Sequence, residues 1–214
     1  MSTTSTTKKD TKTAIMDAAE TMMAEHGING VSIRAILTEA GANSAALHYH
    51  FKNKEGLIEK MITRHGKIPT LRRREMIADF KASSATPTPN DIVNFIVEPM
   101  ILLLEERGEA ARRFYRFIAR LQSDRTGIHR LVEEKHFPEI KKHLHQMLQE
   151  ACPLVTVDEL EIRLTMMIDT LLQSLSNAEF MSKEWDDDGH HDELKLFAAR
   201  LKTFLSGGLA ARAT

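Results

Sequence analysis

The chain has 214 residues, 42% of them hydrophobic and 28% charged, with a formal net charge of −1. That is enough for one large or two small domains with a real core, and the charge balance excludes a uniformly basic nucleic-acid coat and an acidic disordered tail. The 10 Gly and 6 Pro are too few for the turns of an all-β fold, no apolar run reaches a membrane span of roughly 20 residues, and the single Cys152 excludes a disulfide framework. The expected class is a soluble, cytoplasmic, all-α protein.

Residues 1–9 read as a polar, disordered arm ending in Lys8 and Lys9. A first helix starts near Asp10 or Thr11, carries Ile15, Ala18, Ala19, Met22 and Met23 on one stripe, and ends at Gly27. Ser32 is placed to cap a second short helix through Ala40, with Ile33, Ile36 and Leu37 inward. Asn43 or Ser44 caps a third to about His50. Asn53 caps a fourth that starts at Lys54 and is expected to kink or break at Gly66 and Pro69 before resuming to about Phe80. The segment Lys81–Asn90, rich in Ser, Thr and Pro, is the clearest linker. Long helical patterns follow at about 91–106, 109–123, 127–150, 157–182 and 191–206, with Pro99 and Pro138 expected to interrupt two of them. The total is about nine helices, with no internal repeat and no strand pattern.

The most informative stretch is VSIRAILTEAGANSAALHYHFKNKEGL, residues 31–57. Two short helices flank a turn at Gly41-Ala42-Asn43-Ser44, which is helix-turn-helix arithmetic. The third helix is too short to stand alone, so Leu47 and Phe51 must pack inward. Its other face then presents Ser44, Ala45, His48 and Tyr49, groups able to reach base edges and phosphates. Ser32 and Arg34 at the start of the second helix, Asn43 in the turn, and Lys54 at the start of the fourth are candidates for phosphate contact, because helix N-termini favour anions. The basic excess is small. Residues 1–65 hold Lys8, Lys9, Lys12, Arg34, Lys52, Lys54, Lys60 and Arg64 against Asp10, Asp17, Glu20, Glu25, Glu39, Glu55 and Glu59, a net of +1, so contact is expected to be local rather than through a broad patch. The rival reading is a helical protein–protein interaction module that never meets DNA.

Residues 10–65 resemble the DNA-binding domain of the tetracycline-repressor (TetR) family of bacterial transcription regulators. The resemblance rests on Ala18-Ala19 and Gly27, Val31-Ser32, Ile36-Leu37, Ala40-Gly41-Ala42-Asn43, Leu47-His48-Tyr49-His50-Phe51 and Lys54-Glu55-Gly56-Leu57. Leu37, Ala42-Asn43 and His48 depart mildly from the family pattern, the last at a contact position. The resemblance implies a three-helix helix-turn-helix domain at 10–65, a larger ligand-binding and dimerisation bundle at 66–207, and a tail at 208–214. It implies that Ser44, His48, Tyr49 and Lys54 face DNA. The function it implies is a repressor, released from a palindromic operator on double-stranded DNA when a small effector binds.

In the C-terminal part, Phe95, Met100, Phe114, Phe117, Met166, Met167 and Thr170 are the candidate lining of an apolar or amphipathic effector pocket. Leu164, Ile168, Leu171, Leu175, Leu194, Phe197, Leu201 and Phe204 are the candidate homodimer surface, formed as a four-helix interface. No enzyme signature, cofactor or metal site is expected. The acidic run Glu184–Glu193 fails as a calcium loop because Lys195 stands where the bidentate Glu belongs. Arg72-Arg73-Arg74 reads as a solvated face, and Cys152 lacks a histidine partner for a nucleophile.

Overall fold

Short polar side chains start most of the helices, because each helix leaves four backbone amides without partners at its N-terminus. The computed structural model describes residues 10–123, 127–128, 135, 138–177 and 189–211, and among these there are nine helices and no strand. The expected arm, residues 1–9, and residues 184–188 of the acidic run lie outside the described residues.

Helix α1 (Thr11–His26) ends at Gly27, whose φ of 73° suits glycine. Helix α2 (Ile33–Glu39) follows Ser32, whose Oγ accepts from the Ala35 amide at 3.1 Å. Helix α3 (Ser44–Phe51) is capped by Asn43 Oδ1, which accepts from the Ala46 amide at 2.9 Å. Asn53 Oδ1 caps α4 (Lys54–Ala82) in the same way, on the Gly56 amide at 2.9 Å. Each such cap contributes about 1 kcal/mol.

Helix α4 runs unbroken through Gly66 and Pro69, against the expectation of a break there. A proline inside a helix costs about 3 kcal/mol. Here Leu57, Ile58, Met61, Ile62, Pro69 and Ile77 are all buried along one side of the helix, and that packing holds the helix through the proline.

Helix α5 (Pro89–Arg107) opens with a capping box: the Asp91 amide donates to Thr88 Oγ1 at 3.3 Å, and the Thr88 amide donates to Asp91 Oδ2 at 2.9 Å. Pro99 lies inside α5 and has no N–H for the carbonyl of Phe95, four residues back. Arg73 of α4 replaces that donor, its Nε reaching Phe95 O at 2.7 Å and its terminal nitrogen Ile96 O at 3.4 Å. Arg73 therefore departs from the expected solvated run, while Arg72 and Arg74 stay exposed. Burial lowers its pKa to about 10, with Tyr115 acting in the opposite sense, so it remains charged at neutral pH.

Four more helices follow: α6 (Glu109–Ser123), α7 (Pro138–Ala151), α8 (Val157–Ser176) and α9 (Gly189–Ala210). Pro138 opens α7 rather than kinking it, the position where its missing N–H costs nothing. Helix α6 is the hub. It packs against α1 on one side and α8 on another, and also against α5, while α9 covers α5 and α8. One apolar cluster runs from Ile15 in α1 to Leu209 in α9.

Candidate nucleic-acid interface

Leu47 and Phe51 are each only 3% exposed, and α3 packs against α1, α2 and α4. Because a helix repeats every 3.6 residues, burying that side turns Ser44, Ala45, His48 and Tyr49 outward. All four are exposed, Tyr49 at 85%. The Tyr49 ring meets His50 edge-on at 4.9 Å, which leaves its hydroxyl end clear of the core. Ser32, Arg34 and Asn43 are exposed too, although the side-chain oxygens of Ser32 and Asn43 are already engaged as caps. The turn between α2 and α3 depends on Gly41, with φ at 61°.

Lys54 differs from its expected role at a phosphate. Its Nζ donates to Ile28 O at 2.5 Å and Val31 O at 2.6 Å, tying the start of α4 to the loop between α1 and α2. The ammonium thus brings a charged donor to two loop carbonyls, of which Ile28 O also accepts from the Val31 amide at 3.5 Å. Lys52, not among the expected contact residues, is exposed two residues earlier. It sits at φ 69° and ψ −55°, and the Asn53 amide bonds Phe51 O at 2.9 Å around it. That is a tight γ-turn, strained for any residue with a Cβ. Gly56 is required beside it, because a Cβ there would lie 2.0 Å from Phe51 O.

The two lysines give opposite expectations. Lys54→Met removes a charged donor from two carbonyls and lowers stability by about 1.5–3 kcal/mol, while the slope of log affinity against log salt stays unchanged. Lys52→Ala leaves stability nearly unchanged and reduces that slope by about 1. Denaturant unfolding and salt-titrated DNA binding on both variants check this.

The N-terminal unit is joined to the rest through a buried polar junction. His65 Nε2 of α4 and Glu20 Oε2 of α1 are 2.8 Å apart, each residue 3% exposed. With Ser176 they are the buried polar side chains among the described residues. Arg113 of α6 places Nε 4.0 Å from Glu20 Oε1 and donates to Thr21 Oγ1 at 3.2 Å. The Phe114 ring stacks on His65 at 4.6 Å. Phe114, expected in an effector pocket, thus stands at the domain junction.

The other expected pocket residues are also placed elsewhere. Phe95 meets Phe80 edge-on at 5.5 Å in the α4–α5 seam. Phe117 and Met167 are buried in the common core, Met100 and Thr170 are partly buried, and Met166 is 64% exposed. A cavity of about 250 Å³ lies between α6 and α8, lined by Ala119, Gln122, Ser123, Asp169, Leu172 and Gln173. None of the expected pocket residues lines it.

The expected dimer residues divide in two. Leu164, Leu171, Leu175, Leu194 and Leu201 are buried within the protomer, with Ile168 and Phe197 packed partly against the same core. Phe204 is 69% exposed. With it, Ile162 and Met166 on α8 and Leu196 on α9 are more than half exposed. The stripes on α8 and α9 are apolar on two sides, and the inner side belongs to the chain's own core. No helix of the described residues is long and apolar enough to cross a membrane.

Residues 15–61 match the family described as bacterial regulatory proteins, tetR family, and residues 94–208 match the tetracyclin repressor-like C-terminal domain. The HTH-type transcriptional repressor KstR2 of Rhodococcus jostii is 32% identical over 81 residues, 37% of this chain and 39% of that protein. The HTH-type transcriptional regulator UidR of Escherichia coli is 28% identical over 101 residues, 47% of this chain and 46% of that protein. The chain therefore spans less than half the length of these curated relatives. Among solved structures, the fatty acid degradation regulator FadR from Bacillus halodurans shares the fold, with a TM-score of 0.58 at 18% identity over 96% of this chain and 99% of that one.

Proposed function

We propose, from the premise that this chain belongs to the TetR family of bacterial regulatory proteins, that it is a dimeric transcriptional repressor released from a palindromic operator by a small molecule. The observation that carries the reading is the outward row of Ser44, Ala45, His48 and Tyr49 on α3, propped from behind by Leu47 and Phe51. Such a face offers hydrogen-bond donors, acceptors and a methyl to base edges, and a side chain can discriminate bases only through contacts of that kind. Ser32, Arg34, Asn43 and Lys52 flank it and take phosphates. Lys54 serves by holding the start of α4 in place. The relative KstR2 is named a repressor, and repression is the direction we assign.

Two copies place two such helices on one side of a duplex. The exposed Ile162, Met166, Leu196 and Phe204 support a dimer built on α8 and α9. The effector acts by linkage: it binds one spacing of the recognition helices better than the other, and its differential affinity, typically about 1–3 kcal/mol, is subtracted from operator binding. Of the seven residues expected to line a hydrophobic effector pocket, Phe95, Phe114 and Phe117 pack in the core and the junction.

The test is an electrophoretic mobility shift with DNA flanking the chain's own gene, in excess non-specific competitor. Wild type forms a discrete complex, and Tyr49→Ala weakens it by about tenfold or more, the 1–3 kcal/mol of a base contact. A Tyr49→Ala complex as tight as wild type would remove α3 as the reading surface.

A further inference from the structure

Apolar contact holds two bodies together without fixing the angle between them, because it has no direction, whereas hydrogen bonds and close ion pairs do fix it. The N-terminal unit, α1 to α3 with the first turns of α4, rests on α6 through α1. Two side chains of the larger part reach across that seat with directed contacts. Arg113 of α6 donates to Thr21 Oγ1 of α1 at 3.2 Å and faces the neighbouring Glu20 carboxylate at 4.0 Å. Lys135, three residues before α7, donates to both carboxylate oxygens of Glu59 on α4, at 2.8 and 2.9 Å. Glu20 is held from α4 by His65 Nε2 at 2.8 Å, so the hold on α1 continues into the helix that carries Glu59.

The two ties take different flanks of the unit. Arg64 of α4 pairs with Asp17 of α1 at 2.6 Å, which puts α1 on the Arg64 side of α4. Glu59 is five residues from Arg64, about 140° further around the helix. Arg113 therefore holds the unit at α1, and Lys135 holds it from the far flank of α4. A swing of the unit about one contact lengthens the other. That angle matters on an operator with two half-sites. One added base pair carries a half-site about 3.4 Å along the duplex and turns it by about 35° around the axis. A unit free to pivot can follow such a change, and a unit tied on two flanks cannot.

We propose that Arg113 and Lys135 determine the half-site spacing that this chain accepts, as positioning residues that hold α3 at one angle to the bundle and touch no DNA themselves. This rests on the reading of the chain as a dimeric operator-binding regulator and adds to it what makes the dimer selective for one spacing.

The experiment titrates the full chain, by fluorescence anisotropy at fixed ionic strength, with its footprinted operator rebuilt at several spacings. The spacer between half-sites is shortened by one base pair, kept, or lengthened by one or two, and a single half-site is included. Wild type is expected to lose about tenfold or more in affinity for each base pair of change. With Arg113→Met and Lys135→Met together, that loss falls to threefold or less, while affinity for the single half-site stays within twofold of wild type. Arg113→Lys and Lys135→Arg, which keep charge and reach, retain the wild-type preference. Lys135→Met alone removes only an exposed pair, so it leaves the melting temperature within about 2 °C of wild type and flattens the preference part of the way. That single variant carries the test if the double variant does not fold. Variants with the wild-type spacing preference, or with affinity lowered equally at every spacing and on the half-site, would overturn the assignment. Wild type that binds every spacing alike would also overturn it and leave the regulator reading standing. Failure of wild type to bind any DNA flanking its gene would overturn both.

Discussion

Replacing Phe204 and Met166 together by Glu yields a monomer whose operator affinity is lower by about 10²–10⁴-fold. Phe204 is 69% exposed and Met166 is 64% exposed on two helices that pack against each other, with Ile162 and Leu196 also outward. Large apolar side chains at that density are costly in water and are relieved by a second copy. A two-fold arrangement makes each substitution count twice, so the double variant sets four carboxylates into one apolar interface. Each half-site contact survives in the monomer, but the second contact no longer comes at high local concentration. Because neither residue takes part in the protomer's own core, the variant keeps its helical signal and its melting cooperativity. Analytical ultracentrifugation at micromolar concentration checks the assembly, and anisotropy titration checks the affinity. A variant that remains a dimer would move the interface to another face.

Glu20→Ala should cost about 1–3 kcal/mol of folding stability, because it leaves the buried His65 ring nitrogen without its hydrogen-bond partner. Glu20 takes the His65 ring nitrogen at 2.8 Å and faces Arg113 Nε at 4.0 Å, all within the contact between α1, α4 and α6. The stacked Phe114 ring closes the site on another side, so water cannot readily replace the lost carboxylate. For a chain of this size the drop corresponds to about 2–12 °C in melting temperature. Operator binding should weaken with it, since α1 is the floor on which α3 rests. Glu20→Gln keeps a hydrogen-bonding group and should cost less. A melting temperature for Glu20→Ala within 2 °C of wild type would show that the junction is not held by this pair.

The fold was largely legible in the sequence where local chemistry decides it. Ser32, Asn43, Asn53 and Thr88 cap helices because short polar side chains bond the next free amides, and that needs no tertiary information. The inward Leu47 and Phe51 and the outward His48 and Tyr49 follow from the 3.6-residue repeat alone. What escaped depends on distant partners. The ammonium of Lys54 reaches carbonyls 23 and 26 residues earlier, a contact no local pattern announces. Pro69 was expected to break α4, but burial along the helix outweighs the lost hydrogen bond. Leu164, Leu171 and Leu175 looked like a dimer seam because periodicity reports an apolar stripe without saying whose core it enters. Phe114 reads as pocket lining for the same reason, and the polar cavity escapes local patterns because α6 and α8 line it together only once they pack.

The most direct test of the central claim is hydroxyl-radical footprinting of the wild-type chain on DNA flanking its gene. Two symmetric protected patches are expected on one face of the duplex, centred about 34–36 Å apart or somewhat wider, both absent with Tyr49→Ala. A single patch, protection spread evenly along the fragment, or two patches that persist with Tyr49→Ala would contradict it.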